Sequence, residues 1–264
     1  MYVDTFTATA NLRRHIFRLE RDFKILVLKR TSVTKVGGNL RDGCPETMSL
    51  IITDHAANRT DSVNRVNLGA MSFFKQLGEG AIYEEFNSDA APGKFVSYLP
   101  LVLTGDAGLH ITSDDQCNLE VDGAIVGAIY ELHMFETPFF GSNLLEYTAV
   151  TNLGGSKRKS IDVDNVLGLI IPTNSGINRI IQKFGNGGSS ETDLEELRQK
   201  NGMMNDIETR QKAFAFDQEP LTRIFGSEES QFVFLDCGNL THVDIDSGGG
   251  EFEITQVRAI PRVG

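Results

Sequence analysis

Several residue types and patterns are scarce in this sequence. Tryptophan is absent, and cysteine occurs only three times among 264 residues. Cys44, Cys117 and Cys237 form no Cys-x-x-Cys pair, which argues against a zinc site or a disulfide framework and predicts free thiols in a reducing compartment. No apolar run approaches the roughly 18 residues of a membrane-spanning helix, and the first residues lack the apolar core of a secretory signal. We therefore expect neither a transmembrane segment nor secretion.

Catalytic and metal-binding motifs are also missing. The five histidines form no His-x-His or His-Glu-x-x-His pattern, and no Gly-x-Ser-x-Gly nucleophile motif occurs. The loop 185–190 lacks the lysine of a phosphate-binding loop, and Asp244, Asp246 and Glu251 do not have the spacing of an EF-hand. The sequence therefore predicts a protein without catalytic residues, a cofactor or a metal ion.

Charge is abundant but unevenly distributed. Acidic residues outnumber basic ones by 36 to 25, which gives a formal net charge of −11 and argues against sequence-specific nucleic-acid binding. Residues 11–41 nevertheless contain nine lysines and arginines, whereas residues 42–136 contain 15 acidic residues. The basic segment predicts either a solvated face or a patch that meets an anionic surface such as lipid headgroups or packaged nucleic acid.

Short strands separated by turn residues dominate the pattern. Alternation of apolar and polar residues from Phe17 to Val27 predicts one or two strands with Phe17, Ile25 and Val27 on one face. Residues 54–68 are polar and predict a loop, and Pro100 indicates an edge, a bend or a bulge. Further strands are predicted at 49–53, 95–103, 109–112, 118–121, 125–136, 145–150, 161–171, 232–236, 240–245 and 252–260, and around Phe214 and Phe216.

Three segments show helical spacing instead. Residues 70–77, which precede Gly78, predict a short helix. Residues 177–184 place isoleucines and a phenylalanine at helical intervals, although their β-branched side chains leave a strand open. A capping box that begins at Thr192 predicts a helix over 191–200.

The two halves of the chain follow a similar order. Each half has a helix between its early and late strands. The segment 113–123 aligns with 227–238, and the segment 130–136 aligns with 252–260. Turn residues between Thr137 and Ser142 break the strand pattern and predict a domain boundary, with domains at 1–138 and 139–264. The expected architecture is two tandem β-sandwiches, each with an inserted helix.

This organisation resembles the double jelly-roll major capsid proteins of tailless, membrane-containing icosahedral phages. The strongest local match is the strand at 161–171 followed by the helix that begins at Thr192 and by Asn201-Gly202. The resemblance implies a mainly β fold of two tandem jelly-roll domains with short inserted helices, and a structural protein of the virion rather than an enzyme.

The resemblance also implies partners. Proteins of this family form homotrimers with six jelly rolls in a pseudo-hexagonal capsomer, which contacts neighbouring capsomers, minor capsid proteins and an internal lipid membrane. The subunit would be made in the host cytoplasm and located in the virion. The lipid-facing side would then carry four basic residues near the N-terminus: Arg13, Arg14, Arg18 and Arg21.

Two other functions stay open from the residues alone. A carbohydrate- or receptor-binding β-sandwich of a virion would use a concave aromatic platform, and five tyrosines without tryptophan count against it. A hydrolase on a jelly-roll scaffold would need two carboxylates in one cleft, which a sequence does not reveal.

Overall fold

The structure is a computed structural model of the chain. It describes residues 1–34, 44–54, 56–75, 81–86, 92–103, 108–136, 143–202, 222–224 and 232–261.

The elements of the first half are mainly strands. They are β1 Tyr2–Thr7, β2 His15–Leu19, β3 Ile25–Ser32, β4 Thr47–Thr53, β5 Arg59–Asn67, α1 Leu68–Lys75, β6 Ala81–Phe86, β7 Phe95–Leu101, β8 Gln116–Asp122 and β9 Ile129–Phe135.

The second half has the same character. Its elements are β10 Asn143–Asn152, β11 Arg158–Asp162, β12 Val166–Pro172, β13 Arg179–Phe184, β14 Ser189–Thr192, α2 Leu194–Gly202, β15 Thr222–Ile224, β16 Phe232–Asp236, β17 Leu240–Asp246 and β18 Phe252–Pro261.

The strand order repeats between the two halves. In the first half, antiparallel strands form two sheets with the orders β1-β9-β3-β7 and β2-β8-β4-β5. In the second half, the order β10-β18-β12-β16 corresponds to the first of these, and the order β11-β17-β13-β14 corresponds to the second. Helix α1 follows β5, and helix α2 follows the equivalent strand β14. Each half is therefore a jelly roll built from two four-stranded sheets. We call them the first roll and the second roll.

One sheet joins the two rolls. Strand β5 of the first roll pairs in parallel with β10 of the second, at Val63–Tyr147 and Asn64–Thr148, which produces an eight-stranded sheet. The β10-β18-β12-β16 part of that sheet is buried on both faces, since Ile170 belongs to the core of the first roll while Leu169 belongs to that of the second. Burial on both faces accounts for the unbroken apolar runs in β12 and β16.

The predicted loop at 54–68 is wrong. Residues 59–67 form β5, which pairs with β4 as a hairpin. The strand was not recognised because two register shifts near Leu50 and a positive φ of 51° at Arg65 interrupt the alternation of buried and exposed residues.

The predicted helix at 177–184 is also wrong, because residues 179–184 form β13. This strand lies between β14 and β17, and its β-branched isoleucines favour the extended chain. A turn closed by the hydrogen bond from Phe184 N to Gly188 O leads into β14. The other two predicted helices are confirmed as α1 and α2. The N-cap of α2 is Asp193 rather than Thr192, since Glu196 N donates to Asp193 Oδ1 at 2.7 Å.

Three smaller predictions need correction. The single strand expected at 161–171 is two strands, β11 and β12, because Asn165 turns the chain with a φ of 59°. Residues 109–112 form only one isolated bridge, between Leu109 and Phe23. Leu26 and Leu28 point into the core instead of Ile25 and Val27, since the turn before β3 inverts the alternation.

The repeat alignment is half right. Strands β9 and β18, within the segments 130–136 and 252–260, are equivalent in the sheet order. Segment 113–123 holds β8, however, whose equivalent is β17, whereas segment 227–238 holds β16, the equivalent of β7. Similar turn residues led to the wrong pairing. The predictions at Gly78, Phe214 and Phe216, and at the boundary 137–142, lie outside the described residues.

Among the described residues, Pro100 has a strand partner on one side only. It pairs with Val27 of β3, while β6 pairs with β7 only at residues 95–97. Within the described part of the sheet, Pro100 therefore occupies a local edge, as a residue without an amide hydrogen requires.

A charged cluster is buried inside the first roll. The side chains of Arg30 and Glu46 are both fully buried, with Arg30 Nη1 3.1 Å from Glu46 Oε1. The hydroxyl of Tyr130 donates to the same carboxylate oxygen at 2.5 Å and accepts a hydrogen bond from Ile125 N. Burial, followed by the charge of Glu46, raises the pKa of Tyr130 and keeps it neutral.

Candidate assembly surface

The junction between the rolls shows how one jelly roll of this chain contacts another. Beside the β5–β10 pairing, Leu145 N donates to Leu103 O at 3.0 Å and the Tyr147 hydroxyl donates to Val102 O at 2.6 Å. Burial raises the pKa of Tyr147 and keeps this donor protonated. Helix α1 covers the same face, with Phe73 5.5 Å from Phe232 between ring centroids. The junction thus combines an added strand with a helix that covers the extended sheet.

The opposite border of the first roll carries no further strand among the described residues. Strand β1 ends the six-stranded sheet β1-β9-β3-β7-β6-β15, and β2 ends the eight-stranded sheet. A groove of about 530 Å³ lies between these borders and is lined by Met1, Tyr2, Ile16 and Arg18, among others. Met1, Tyr2 and Ile16 are each about half exposed. An open strand edge beside exposed apolar side chains is a typical site for pairing with another chain.

The four arginines predicted at an inner face lie near this border, and three of them have partners. Arg13 donates to the carbonyl oxygens of residues 123 and 124, Arg14 Nη2 lies 2.6 Å from Glu120 Oε2, and Arg21 Nη1 lies 3.5 Å from Glu136 Oε1. The hydrogen bond that Arg14 donates to Glu120, followed by the charge of Glu120, raises the pKa of Arg14. Arg18 lines the groove. The structure thus brings the four residues together but mixes them with acidic residues.

The outer face of the first roll's sheet is partly apolar and partly exposed. Cross-strand partners on this face include Tyr2 with His133 and Ile25 with Phe135. Tyr2 and Phe135 are 51% and 53% exposed. On the equivalent face of the second roll, Tyr147 is only 1% exposed because the first roll covers it. Two equivalent surfaces therefore differ mainly in whether a neighbouring roll lies on them.

The four-stranded sheet of the second roll has two end strands, β11 and β14, in the order β11-β17-β13-β14. Helix α2 follows β14 directly. This segment is acidic, with Glu191, Asp193, Glu195 and Glu196 within six residues. Glu196 accepts hydrogen bonds from Thr192, at 2.7 Å, and then from Lys200; these lower its pKa, so it stays ionised.

Helix α2 also protects the border at β16. The side chain of Asn201 accepts a hydrogen bond from Phe234 N at 2.6 Å and donates to Phe234 O at 2.9 Å. These two bonds occupy backbone groups that an added strand would otherwise use. The edge at β16 is therefore closed by the chain itself.

Sites for catalysis or metal binding do not emerge from the described part of the chain. No group of three or more potential metal ligands occurs among those residues. Asp244 and Asp246, considered above for calcium, pair instead with Lys183 at 2.8 Å and Arg179 at 3.5 Å. No helix among the same residues is long and apolar enough to cross a membrane.

A polar cleft tests the hydrolase alternative. Asp54 and Asp114 both line a cleft of about 480 Å³. The oxygens of Asp54, however, accept hydrogen bonds from the backbone of residues 56 and 58 and from the Asn58 side chain at 2.8–2.9 Å. Asp54 thus holds a turn, and the cleft gives no support to an acid–base pair.

The three cysteines are buried free thiols, as the sequence predicts. Burial, followed by the charge of Asp236, raises the pKa of Cys237 to about 12. A buried protonated thiol is a poor nucleophile.

The sequence did not reveal the borders that matter here. Strands β1 and β14 were not predicted, because β1 begins the chain without a clear alternation and β14 is four polar residues. Their position at sheet edges follows only from the tertiary pairing. The signal that was present is the repeat itself, since two equivalent halves have equivalent border strands.

Comparison with known proteins gives likeness in fold only. No protein-family model matches the sequence. No curated protein matches it either. A chain in the atomic structure of Sulfolobus Turreted Icosahedral Virus is 9% identical with a TM-score of 0.55, over 97% of this chain and 88% of that one.

Two further solved structures are more distant in shape. The major capsid protein P2 from bacteriophage PM2 is 13% identical with a TM-score of 0.45, over 100% of this chain and 98% of that one. The mavirus major capsid protein is 9% identical with a TM-score of 0.34, over 99% and 86%. The repeated strand order and the likeness to the turreted virus chain confirm the predicted fold class and the resemblance to double jelly-roll capsid proteins at the level of the fold.

Proposed function

We propose that this chain is a capsid protein that assembles into trimers and forms an icosahedral shell. The observation that carries the proposal is the pair of jelly rolls joined through one continuous sheet, a fold similar to that of a chain in an icosahedral virus. The role is structural and needs neither catalysis nor a cofactor. Its location is the virion, after synthesis in the host cytoplasm.

The repeat supports the trimeric form. Two rolls with the same topology give each copy two similar units, so three copies in a closed ring would present six units in a pseudo-hexagonal outline. Such capsomers pack against neighbouring capsomers in a shell.

The mass of the purified protein tests this proposal. Light scattering after gel filtration, over a range of concentrations and salt, should give a particle of three times 29.1 kDa. Electron microscopy of that particle should then show a pseudo-hexagonal outline. A protein that stays monomeric under all of these conditions would contradict the proposal.

We also propose that the division into domains falls at 138/139, as the sequence predicts. The first roll ends with β9 at Phe135, and the second begins with β10 at Asn143. Limited proteolysis should cleave between these residues and leave two fragments that copurify, because the β5–β10 pairing holds them together. Fragments that separate after cleavage would contradict this arrangement.

The four arginines form a second part of the proposal, as contacts with an internal membrane. Arg14 and Arg21 are 61% and 65% exposed, which leaves their charge available to an anionic surface. Each basic residue near such a surface contributes about 1 kcal/mol. We also propose that minor capsid proteins bind at this side.

Vesicle flotation tests the membrane contact. Replacing Arg13, Arg14, Arg18 and Arg21 by glutamine should reduce flotation with vesicles that contain anionic lipid. A matched control removes four positive charges from the second roll: Lys157→Gln, Arg158→Gln, Lys159→Gln and Lys200→Gln. Equal losses in both variants would show a general charge effect and would contradict an inner face at the arginines.

A further inference from the structure

The junction inside the chain indicates how two copies meet. Within one molecule, β5 is the last strand of one sheet of the first roll, and β10 is the border strand of one sheet of the second roll. The pairing of β5 with β10 joins these two sheets. The strand equivalent to β5 is β14, and the strand equivalent to β10 is β1. Both β14 and β1 have a free side within the described part of the chain. Strands β14 and β1 are therefore equivalent to the two strands that form the junction within the chain, and each has a free side among the described residues.

We propose that β14 of one copy pairs in parallel with β1 of the next copy. The result is one continuous ten-stranded sheet across two subunits, in the order β11-β17-β13-β14-β1-β9-β3-β7-β6-β15. This sheet is the intermolecular counterpart of the eight-stranded sheet within the chain. The inference rests on the proposed function, since it specifies which edges close the ring.

The exposed face of the first roll supports this assignment. In the second roll, the outer face of the β10-β18-β12-β16 sheet is covered by the first roll and by α1. If the junction is repeated between copies, α2 of one copy comes to lie on the outer face of the neighbour's β1-β9-β3-β7 sheet. That is the face on which Tyr2 and Phe135 are half exposed. The proposal accounts for this exposed apolar surface by a specific occupant.

Charge supports the same occupant. The β14–α2 segment is acidic, with Glu191, Glu195 and Glu196, whereas the groove beside β1 is lined by Arg18 and Arg21 together with Asp4 and Glu20. Pairing of two β14–α2 borders would place like charges against each other, whereas the mixed-charge border at β1 carries basic partners for the acidic segment.

The interface is head-to-tail rather than two-fold. Each copy donates β14 to one neighbour and receives β14 from another at β1, so the contact propagates around a ring. A two-fold contact would instead pair β1 with β1 or β14 with β14, and would stop at a dimer.

Engineered disulfides distinguish these arrangements. Thr5 in β1 and Ser190 in β14 are both exposed, and the native cysteines are buried. Under mild oxidation, the double variant T5C/S190C should give covalent dimers and trimers on a non-reducing gel. A second double variant, T7C/S190C, covers a shift of two residues in register. The matched control T5C/S113C places its second cysteine in an exposed turn away from β14 and should stay monomeric on the gel.

The single variants provide the decisive comparison. T5C alone and S190C alone should form no covalent dimer, because a head-to-tail contact never brings two copies of one residue together. Efficient cross-linking of a single variant would establish a two-fold contact and overturn the inference.

Hydrogen exchange of the unmodified protein gives a readout that requires no variant. Amides of residues 2–7 and 189–192 should exchange about tenfold more slowly or better in the trimer than in the diluted monomer, since new backbone hydrogen bonds form there. Amides of the equally exposed border β11 should not change. A trimer without this protection would refute the β14–β1 contact but leave the capsid proposal standing, whereas a protein that never leaves the monomeric state would refute both.

Discussion

The buried pair of Arg30 and Glu46 is expected to make the first roll unusually sensitive to one substitution. Glu46→Gln keeps the shape of the side chain but removes the negative charge of the carboxylate that lies 3.1 Å from the fully buried guanidinium of Arg30. Removing one partner of a buried pair costs about 3–5 kcal/mol. Since domains are stable by about 5–15 kcal/mol, this loss is a large part of the total.

The measurement is equilibrium unfolding in urea. Circular dichroism is the suitable probe, because the chain has no tryptophan. The matched control is Asp61→Asn, which breaks an exposed ion pair between Arg59 Nε and Asp61 Oδ1 at 2.7 Å and should change the free energy of unfolding far less. If Glu46→Gln costs no more than this control, the cluster does not stabilise the fold as argued.

A double variant separates charge pairing from packing. In Arg30→Met/Glu46→Leu no buried charge remains, so the protein should be more stable than either single variant. Its residual loss should be about 1–3 kcal/mol, since the Tyr130 hydroxyl no longer has its acceptor. If the stability losses of the two single variants add up to the loss of the double variant within about 0.5 kcal/mol, the two residues act independently and the reasoning is refuted.

Three further predictions concern the second roll. Gly168→Ala should cost about 1–3 kcal/mol in urea unfolding, because the new Cβ would lie 2.7 Å from a backbone oxygen of Leu235, whereas Gly185→Ala has room and should be nearly neutral. Burial alone would raise the pKa of Asp244, but the hydrogen bond and charge of Lys183 lower it overall. The ionised form of Asp244 therefore stabilises the fold at pH values above its unfolded pKa near 3.8. The stability difference between the wild type and Asp244→Asn should vanish as the pH falls through the folded pKa of Asp244. Cys237, with its pKa raised to about 12, should react with thiol reagents at pH 8 only after unfolding; rapid labelling of the folded protein would contradict its burial.

Apolar runs bounded by turn residues were readable from the sequence. Strands β4, β8, β10 and β16 to β18 lie close to their predicted positions, because each has a clear apolar run bounded by turn residues. Where a bulge interrupts the alternation, as in β5, or a strand consists of polar residues, as in β14, the local pattern carries no signal. Both failures concern strands at the borders of a roll, where one side of the strand meets solvent or another roll.

The candidate assembly surface was only partly predictable for a related reason. The arginines near β2 could be found by composition, but the ion pairs of Arg14 with Glu120 and of Arg21 with Glu136 join residues more than 100 positions apart. A sequence does not show that such charges compensate one another. The inner-face role of these arginines therefore stays a prediction, to be decided by the flotation experiment.

The two helices make the strongest physical argument about how the rolls associate. They occupy equivalent positions, yet α1 is almost wholly apolar and buried, while α2 is charged and exposed on one side. Helix α1 covers a junction that forms within one chain, so its apolar side chains are buried on folding. An apolar helix at α2 would expose an apolar border on every free copy, and such a border would favour open-ended association. The polar α2 avoids this exposure and would make the proposed second junction weaker and more dependent on charge. On this argument the difference in polarity between two equivalent helices separates the contact made within a chain from the contact made between chains.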